Sequence, residues 1–198
     1  MDMKIRAVAL LVEAAMMATL PLTVGATTTS TTWVSPNMME LPALVVERNA
    51  IGDQVALSKW YSGKAVEDAQ REKEVIDEVR RQAPTYGLNP DDAERFFAAQ
   101  IESNKLVQYA LLSVWQLQGR APDLPPPDLA RLRKQLDDLQ KRLLQALASS
   151  KEVPDSPYCK AAIAQAVDEA AHNDRLDGLH HLALMRSFGD FCRATARP

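Results

Sequence analysis

Glycine is scarce in this 198-residue chain, with only seven residues, and strand-like alternation is almost absent. Both facts argue against an all-β or Rossmann-type fold, whose tight turns and phosphate loops draw on glycine. There is no P-loop, GxGxxG or HExxH run, so the phosphate cradles and the helical zinc pair that those motifs build are not expected. Nor is there a basic excess: 23 Lys and Arg stand against 26 Asp and Glu, for a net charge of −3. A nucleic-acid partner is therefore not expected, because binding phosphates needs clustered cations. Histidine is limited to His172, His180 and His181, without ligand-like spacing to the two cysteines, and no metal is expected. The histidines read as polar surface positions on the last two helices.

What the chain does have begins with an N-terminus that reads as an export signal. Lys4 and Arg6 form a positive region, an apolar stretch runs from Ala7 to Val24, and Val24-Gly25-Ala26 offers a small-residue cleavage site. Glu13 and Pro21 interrupt the stretch, which argues against a retained membrane helix. The alternative is a buried N-terminal helix. Residues 1–26 are thus expected to be a signal peptide, and 27–40, rich in Thr and Ser at its start, a flexible mature N-terminus. Cys159 and Cys192 fit that compartment: an isolated pair in an exported chain is most simply a disulfide. The alternative is two buried thiols.

Residues 41–198 read as one all-α domain, a bundle of about six helices with one long central helix. The first helix is expected from about Leu41 to Tyr61, and the second from about Glu67 to Tyr86, with Gly87 as its stop. Asn89-Pro90-Asp91-Asp92 is a helix start, with a cap, a proline at the first position and acids at the positive dipole end. The third helix then runs to about Gln118. Pro122, Pro125, Pro126 and Pro127 make a non-helical connector. Asp128 opens a fourth helix with the core stripe Leu129, Leu132, Leu136, Leu139, Leu143 and Leu147. Ser156-Pro157 opens a fifth and Asp174 a sixth, which ends near Cys192.

Two helical stripes carry polar residues where apolar ones belong. Leu44, Arg48, Ile51, Val55 and Lys59 share one face, and so do Phe97, Ile101, Asn104, Gln108, Leu111 and Trp115. Arg48 and Lys59 are eleven residues apart, which returns to the same direction about 16 Å along the helix. If both stripes face one cavity, they offer cations and amides to opposite ends of a small anionic ligand rich in oxygen. Arg71 and Glu72 follow on the second helix, close to the Lys59 end, and Arg133 stands beside the leucine stripe. Each residue also has an ordinary reading. Arg48 and Lys59 could pair with buried acids, Arg71 could be a solvated charge, Asn104 and Gln108 could form a structural bridge, and Arg133 could belong to a charged face. Met38, Met39 and Trp115 read as core.

Several runs carry a resemblance: Val45-Val46-Glu47-Arg48, Leu57-Ser58-Lys59-Trp60, Val66-Glu67-Asp68-Ala69-Gln70-Arg71-Glu72, and residues 100–108 from Gln100 through Asn104 to Gln108. With their spacing, they resemble the all-helical AroQ-type chorismate mutases. The export signal, the proline-rich connector, Asp128-Leu129 leading to Arg133, and the two C-terminal cysteines resemble the secreted (gamma) branch. The resemblance implies a cofactor-free Claisen rearrangement of chorismate to prephenate. It also implies roles. Arg48 and Arg133 would bind carboxylates. Lys59 and Gln108 would donate to the ether oxygen, with Arg71 assisting. Glu72, with Asp68 nearby, would hold the ring hydroxyl, and Asn104 would bond a carboxylate or order that wall. Asn104 departs from the Ser or Thr usual in the family, and Gln108 stands where some members carry a Glu. Gln donates at any pH, so the rate is expected to be flat from neutral to mildly alkaline pH. The resemblance further implies a homodimer. Two other readings stay open: an isochorismate-pyruvate lyase on the same scaffold, and a secreted, non-catalytic helical interaction protein.

Overall fold

A computed structural model of the protein describes residues 36–193. The expected export signal and the stretch up to residue 35 lie outside the described residues, as do 194–198. Six α-helices follow one another among the described residues: α1 (Pro36–Ser62), α2 (Ala69–Gln82), α3 (Pro90–Gln118), α4 (Leu129–Ser149), α5 (Cys159–Asn173) and α6 (Gly178–Ser187). The all-α expectation, with α3 as the long central helix, agrees with the structure.

The helix starts follow from their caps. Asn89 Oδ1 accepts from the Asp91 N–H at 2.8 Å, with Pro90 in the first turn, where its missing N–H costs nothing. Asp128 Oδ1 accepts from the Ala130 N–H at 2.9 Å, and Asp177 Oδ1 from the His180 N–H at 2.9 Å. Gly119 closes α3 in the left-handed region at φ 67°, a conformation that a side chain would strain.

Several boundaries differ from the sequence reading. Helix α1 begins at Pro36, so residues 36–40, expected to be flexible, are helical. Pro42 removes one helix hydrogen bond, yet Met38 and Leu41 on its N-terminal side are fully buried, and that burial keeps the first turns in place. Helix α2 begins two residues later than expected, after the Asp68 cap, and ends at Gln82. The chain tightens into a 3₁₀ turn over Ala83–Tyr86, where Pro84 cannot continue the α-helical ladder. Helix α5 opens at Cys159 rather than at Ser156-Pro157. Helix α6 is capped by Asp177, not Asp174, and stops at Ser187; the link before it turns through Arg175 at φ 51°.

Helix α1 runs against α3 and α4 and is backed by α5 and α6. Leu41, Leu44, Val45, Phe97, Leu132, Leu139 and Leu143 fill the core between them. Phe96, Phe97, Phe188 and Phe191 pack edge to face, with neighbouring rings 5.5–6.2 Å apart. Trp60 and Trp115 form a smaller edge-to-face contact at 6.1 Å beside Ala56 and Leu57. Cys159 and Cys192 are disulfide-bonded, with Cα atoms 5.8 Å apart. The bond joins the first residue of α5 to the turn that follows α6. On α4, Leu132, Leu139, Leu143 and Leu147 are buried, whereas Leu129 and Leu136 are only half-buried; Leu129, Leu132 and Leu136 line a cavity.

Candidate active site

A cavity of about 310 Å³ lies between the second half of α1, the link to α2, the start of α2, the middle of α3 and the first half of α4. All eight side chains singled out by spacing and resemblance line it: Arg48, Lys59, Asp68, Arg71, Glu72, Asn104, Gln108 and Arg133. Val55, Phe97, Ile101, Leu129, Leu132 and Leu136 supply apolar wall. Such walls keep water out and strengthen every electrostatic contact inside.

Arg48 is the most deeply set cation, only 8% exposed. Its Nε has no hydrogen-bond partner, and no carboxylate of the described residues forms an ion pair with it. The neighbouring Glu47 pairs instead with Arg142 on α4, at 2.8 Å. Burial pushes the Arg48 pKa down to about 10, which leaves the guanidinium charged at neutral pH. The ordinary reading of a structural ion pair therefore fails at this position.

Lys59 sits three helical turns on, half-buried, and donates from Nζ to the Val66 carbonyl at 2.6 Å. Its pKa lies below the usual lysine value. Burial is the main cause, offset in part by the Asp68 and Glu72 charges and reinforced by Lys105. The two acids have structural work of their own. Asp68 Oδ1 accepts from the Arg71 N–H at 3.1 Å as the cap of α2, and Glu72 Oε1 accepts from the Asp68 N–H at 3.3 Å. Glu72 Oε2 accepts from Lys105 Nζ at 3.2 Å. A carboxylate has about four acceptor sites, so Glu72 keeps capacity for a hydroxyl.

The amides form a chain across α1 and α3. Gln108 Nε2 donates to Asn104 Oδ1 at 2.7 Å, and Asn104 Nδ2 donates to the Arg48 carbonyl at 3.2 Å. Both side chains are buried, and Gln108 Oε1 has no partner. The second N–H of the Gln108 amide is not used in this chain of bonds. Asn104 and Gln108 are thus both a structural bridge and part of the cavity wall.

The two remaining arginines sit at the rim. Arg71, 39% exposed, reaches Asp137 of α4 at 3.4 Å and Glu74 at 3.5 Å. Arg133 is exposed and has no ion pair with the described residues. His180, expected at the surface, is instead half-buried between Asp177 and Asp53, at 2.8 and 3.0 Å, where it ties α6 to α1.

Six polar residues of the cavity are not among the side chains singled out from the sequence: Ser62, Lys64, Glu67, Lys105, Asp137 and Gln140. Lys105 follows Ile101 by four on α3, and Asp137 follows Arg133 by four on α4, so counting along each face reaches both. Nothing local announces the Lys105–Glu72 pair, which folding brings together from 33 residues apart.

The family described as "Chorismate mutase type II" matches residues 39–109 of this chain. The fold is similar to the crystal structure of chorismate mutase from Burkholderia phymatum. That likeness has a TM-score of 0.77 and 41% identity, and covers 80% of this chain and 97% of the other. Chorismate mutase from Burkholderia thailandensis gives a TM-score of 0.77 at 32% identity, covering 80% of this chain and all of the other. The secreted chorismate mutase of Mycobacterium tuberculosis is 28% identical over 157 residues, 79% of each chain. On the identity and coverage of these relatives, the chain belongs to the chorismate mutase family.

Proposed function

We propose that this protein is an exported chorismate mutase that converts chorismate to prephenate. The reaction is intramolecular: the ether C–O bond breaks as a C–C bond forms, and the electron pairs shift within one molecule. It needs no nucleophile, general base or cofactor from the protein. What the protein supplies is orientation of the flexible enolpyruvyl ether and fixed donors where charge builds on the ether oxygen.

The observation that carries this reading is Arg48: a sealed, charged guanidinium that faces the cavity without a carboxylate partner among the described residues. Chorismate is a dianion, and its carboxylates match Arg48 at one end and Arg133 at the rim, where the forked guanidinium favours bidentate contact. Lys59 Nζ and the second N–H of Gln108 donate to the ether oxygen, and Arg71 assists at the Lys59 end. Glu72, with Asp68 beside it, accepts from the ring hydroxyl. Asn104 holds Gln108 in place. The isochorismate lyase and non-catalytic readings are not favoured, since the similar proteins named above are chorismate mutases.

The protein acts beyond the cytoplasm, as its secreted relatives do, and its disulfide fits an oxidising compartment. Cleavage near Ala26 and a homodimeric assembly complete the proposal. N-terminal sequencing and sedimentation of the exported protein test these two points. No helix of the described residues is long and apolar enough to cross a membrane.

Chorismate consumption by the oxidised mature protein, with the product identified as prephenate, tests the function directly. Lys59→Ala should lower kcat by about 10²- to 10³-fold, the usual cost of losing a positioned donor. Wild-type kcat/KM should be flat between roughly pH 6 and 8, because Gln108 does not titrate. It should then fall on the alkaline side as Lys59, lowered by burial, loses its proton. Full turnover by Lys59→Ala, or an activity that needs acid, would overturn these assignments.

A further inference from the structure

Gly52 lies in the interior of α1, one turn after Arg48, in an ordinary helical conformation. No turn and no positive φ calls for glycine there, and a helix interior disfavours glycine relative to alanine. What the position lacks is room. A Cβ on Gly52 would stand 2.8 Å from Asn104 Nδ2, closer than real Cβ atoms approach, and a tight 3.3 Å from Asn104 Cγ. Asn104 is held at both ends of its amide. Nδ2 donates to the Arg48 carbonyl at 3.2 Å, and Oδ1 accepts from Gln108 Nε2 at 2.7 Å. Any shift of this amide therefore disturbs two hydrogen bonds. A methyl group on α1 would push the Asn104 amide away from Arg48, and the Gln108 amide, bonded to it, would move too.

We propose that Gly52 is a positioning residue: the missing side chain admits the Asn104 amide, and that amide sets the Gln108 amide in the cavity. The inference rests on the catalytic reading of Gln108 given above. Gly52 touches no substrate; it acts through Asn104. The arrangement also assigns α1 a second task beside carrying Arg48 and Lys59, which is to let α3 approach closely at the level of the amide chain.

The test is a double-mutant cycle on the full mature protein with Gly52→Ala, Asn104→Ser and both together. Gly52→Ala should lower kcat at least about tenfold with a smaller change in KM, because the Gln108 donor counts most as the ether bond breaks. Adding Gly52→Ala to Asn104→Ser should cost nothing further in kcat, since the shorter side chain leaves space for the methyl group. Unchanged kcat in Gly52→Ala, or full additivity of the two losses, would overturn the proposal. A second measurement does not depend on turnover. The side-chain amide NMR signals of Asn104 and Gln108 should both shift in Gly52→Ala, and the Gln108 signal should be the same in Asn104→Ser with and without Gly52→Ala. If the wild type itself left chorismate intact, the functional reading would fall, and these amide signals would still decide whether Gly52 sets Gln108. Unmoved signals would overturn it on their own.

Discussion

Arg48 shows what the fold gives up for its site. A buried charge without a partner is unfavourable, and here the guanidinium is desolvated enough to lower its pKa to about 10. An apolar side chain of similar length in that place carries no such desolvation cost. Arg48→Met should therefore raise the unfolding midpoint, by on the order of 1 kcal/mol in stability, while lowering kcat/KM by about 10- to 100-fold through loss of a charged hydrogen bond. Thermal melts and steady-state kinetics on one preparation measure both. A variant less stable than wild type and equally active would mean that Arg48 is structural. Arg71 is the contrasting case. More than a third exposed and shared between Asp137 and Glu74, it contributes little to stability, although it lines the same cavity.

At the level of elements, the site is made where helices meet, so the contacts that hold helices in register matter as much as the lining. His180 fixes the start of α6 to α1 through Asp177 and Asp53. Burial alone would lower its pKa, but the two carboxylates outweigh that and the value is raised. The folded state thus favours the protonated ring. Its contribution is fully present below the ordinary histidine pKa of about 6.5, and it is lost as pH rises through the higher folded-state value. The stability lost in His180→Gln should be largest near pH 5 and should shrink by about pH 8. Urea unfolding at several pH values checks this, and a gap that widened with pH would contradict it. A buried polar network adds to this packing: Ser103 Oγ donates to Asn49 Oδ1 at 2.9 Å, and Ser187 Oγ lies 2.7 Å from Ser103 Oγ. It joins α1, α3 and α6 behind the cavity.

For the molecule as a whole, the Cys159–Cys192 bond closes a loop across the sequence separation of 33 residues. A loop of that length is worth about 3–4 kcal/mol in the chain-entropy model. The Cys159→Ser/Cys192→Ser variant should unfold roughly 10 °C lower and still turn over chorismate below its melting range, because α5 and the turn after α6 contribute nothing to the cavity lining. Calorimetry and an activity assay at low temperature test the two halves separately. Loss of activity in a folded variant would show that the C-terminal pair also shapes the site.

The sequence by itself determined the six helices and those of their ends that depend on neighbours within a turn or two: Asn89-Pro90 starting α3, Asp128 starting α4 and Gly119 ending α3. It also placed Arg48 with Lys59, and Asn104 with Gln108, on one face of each helix through their spacing, whereas the meeting of those faces at one cavity came from the packing of the helices. Boundaries set by burial were not legible in this way. Helix α1 starts at Pro36 because Met38 and Leu41 find a core to enter, and the pattern around Pro42 reads locally as an interruption. Partnerships across elements were decided only by tertiary structure. Lys105 meets Glu72, His180 meets Asp53, Arg71 meets Asp137, and Gly52 leaves room for Asn104. Each of these depends on how two helices cross and how far apart they sit. That is a property of the packed whole, and helical spacing within one segment does not encode it.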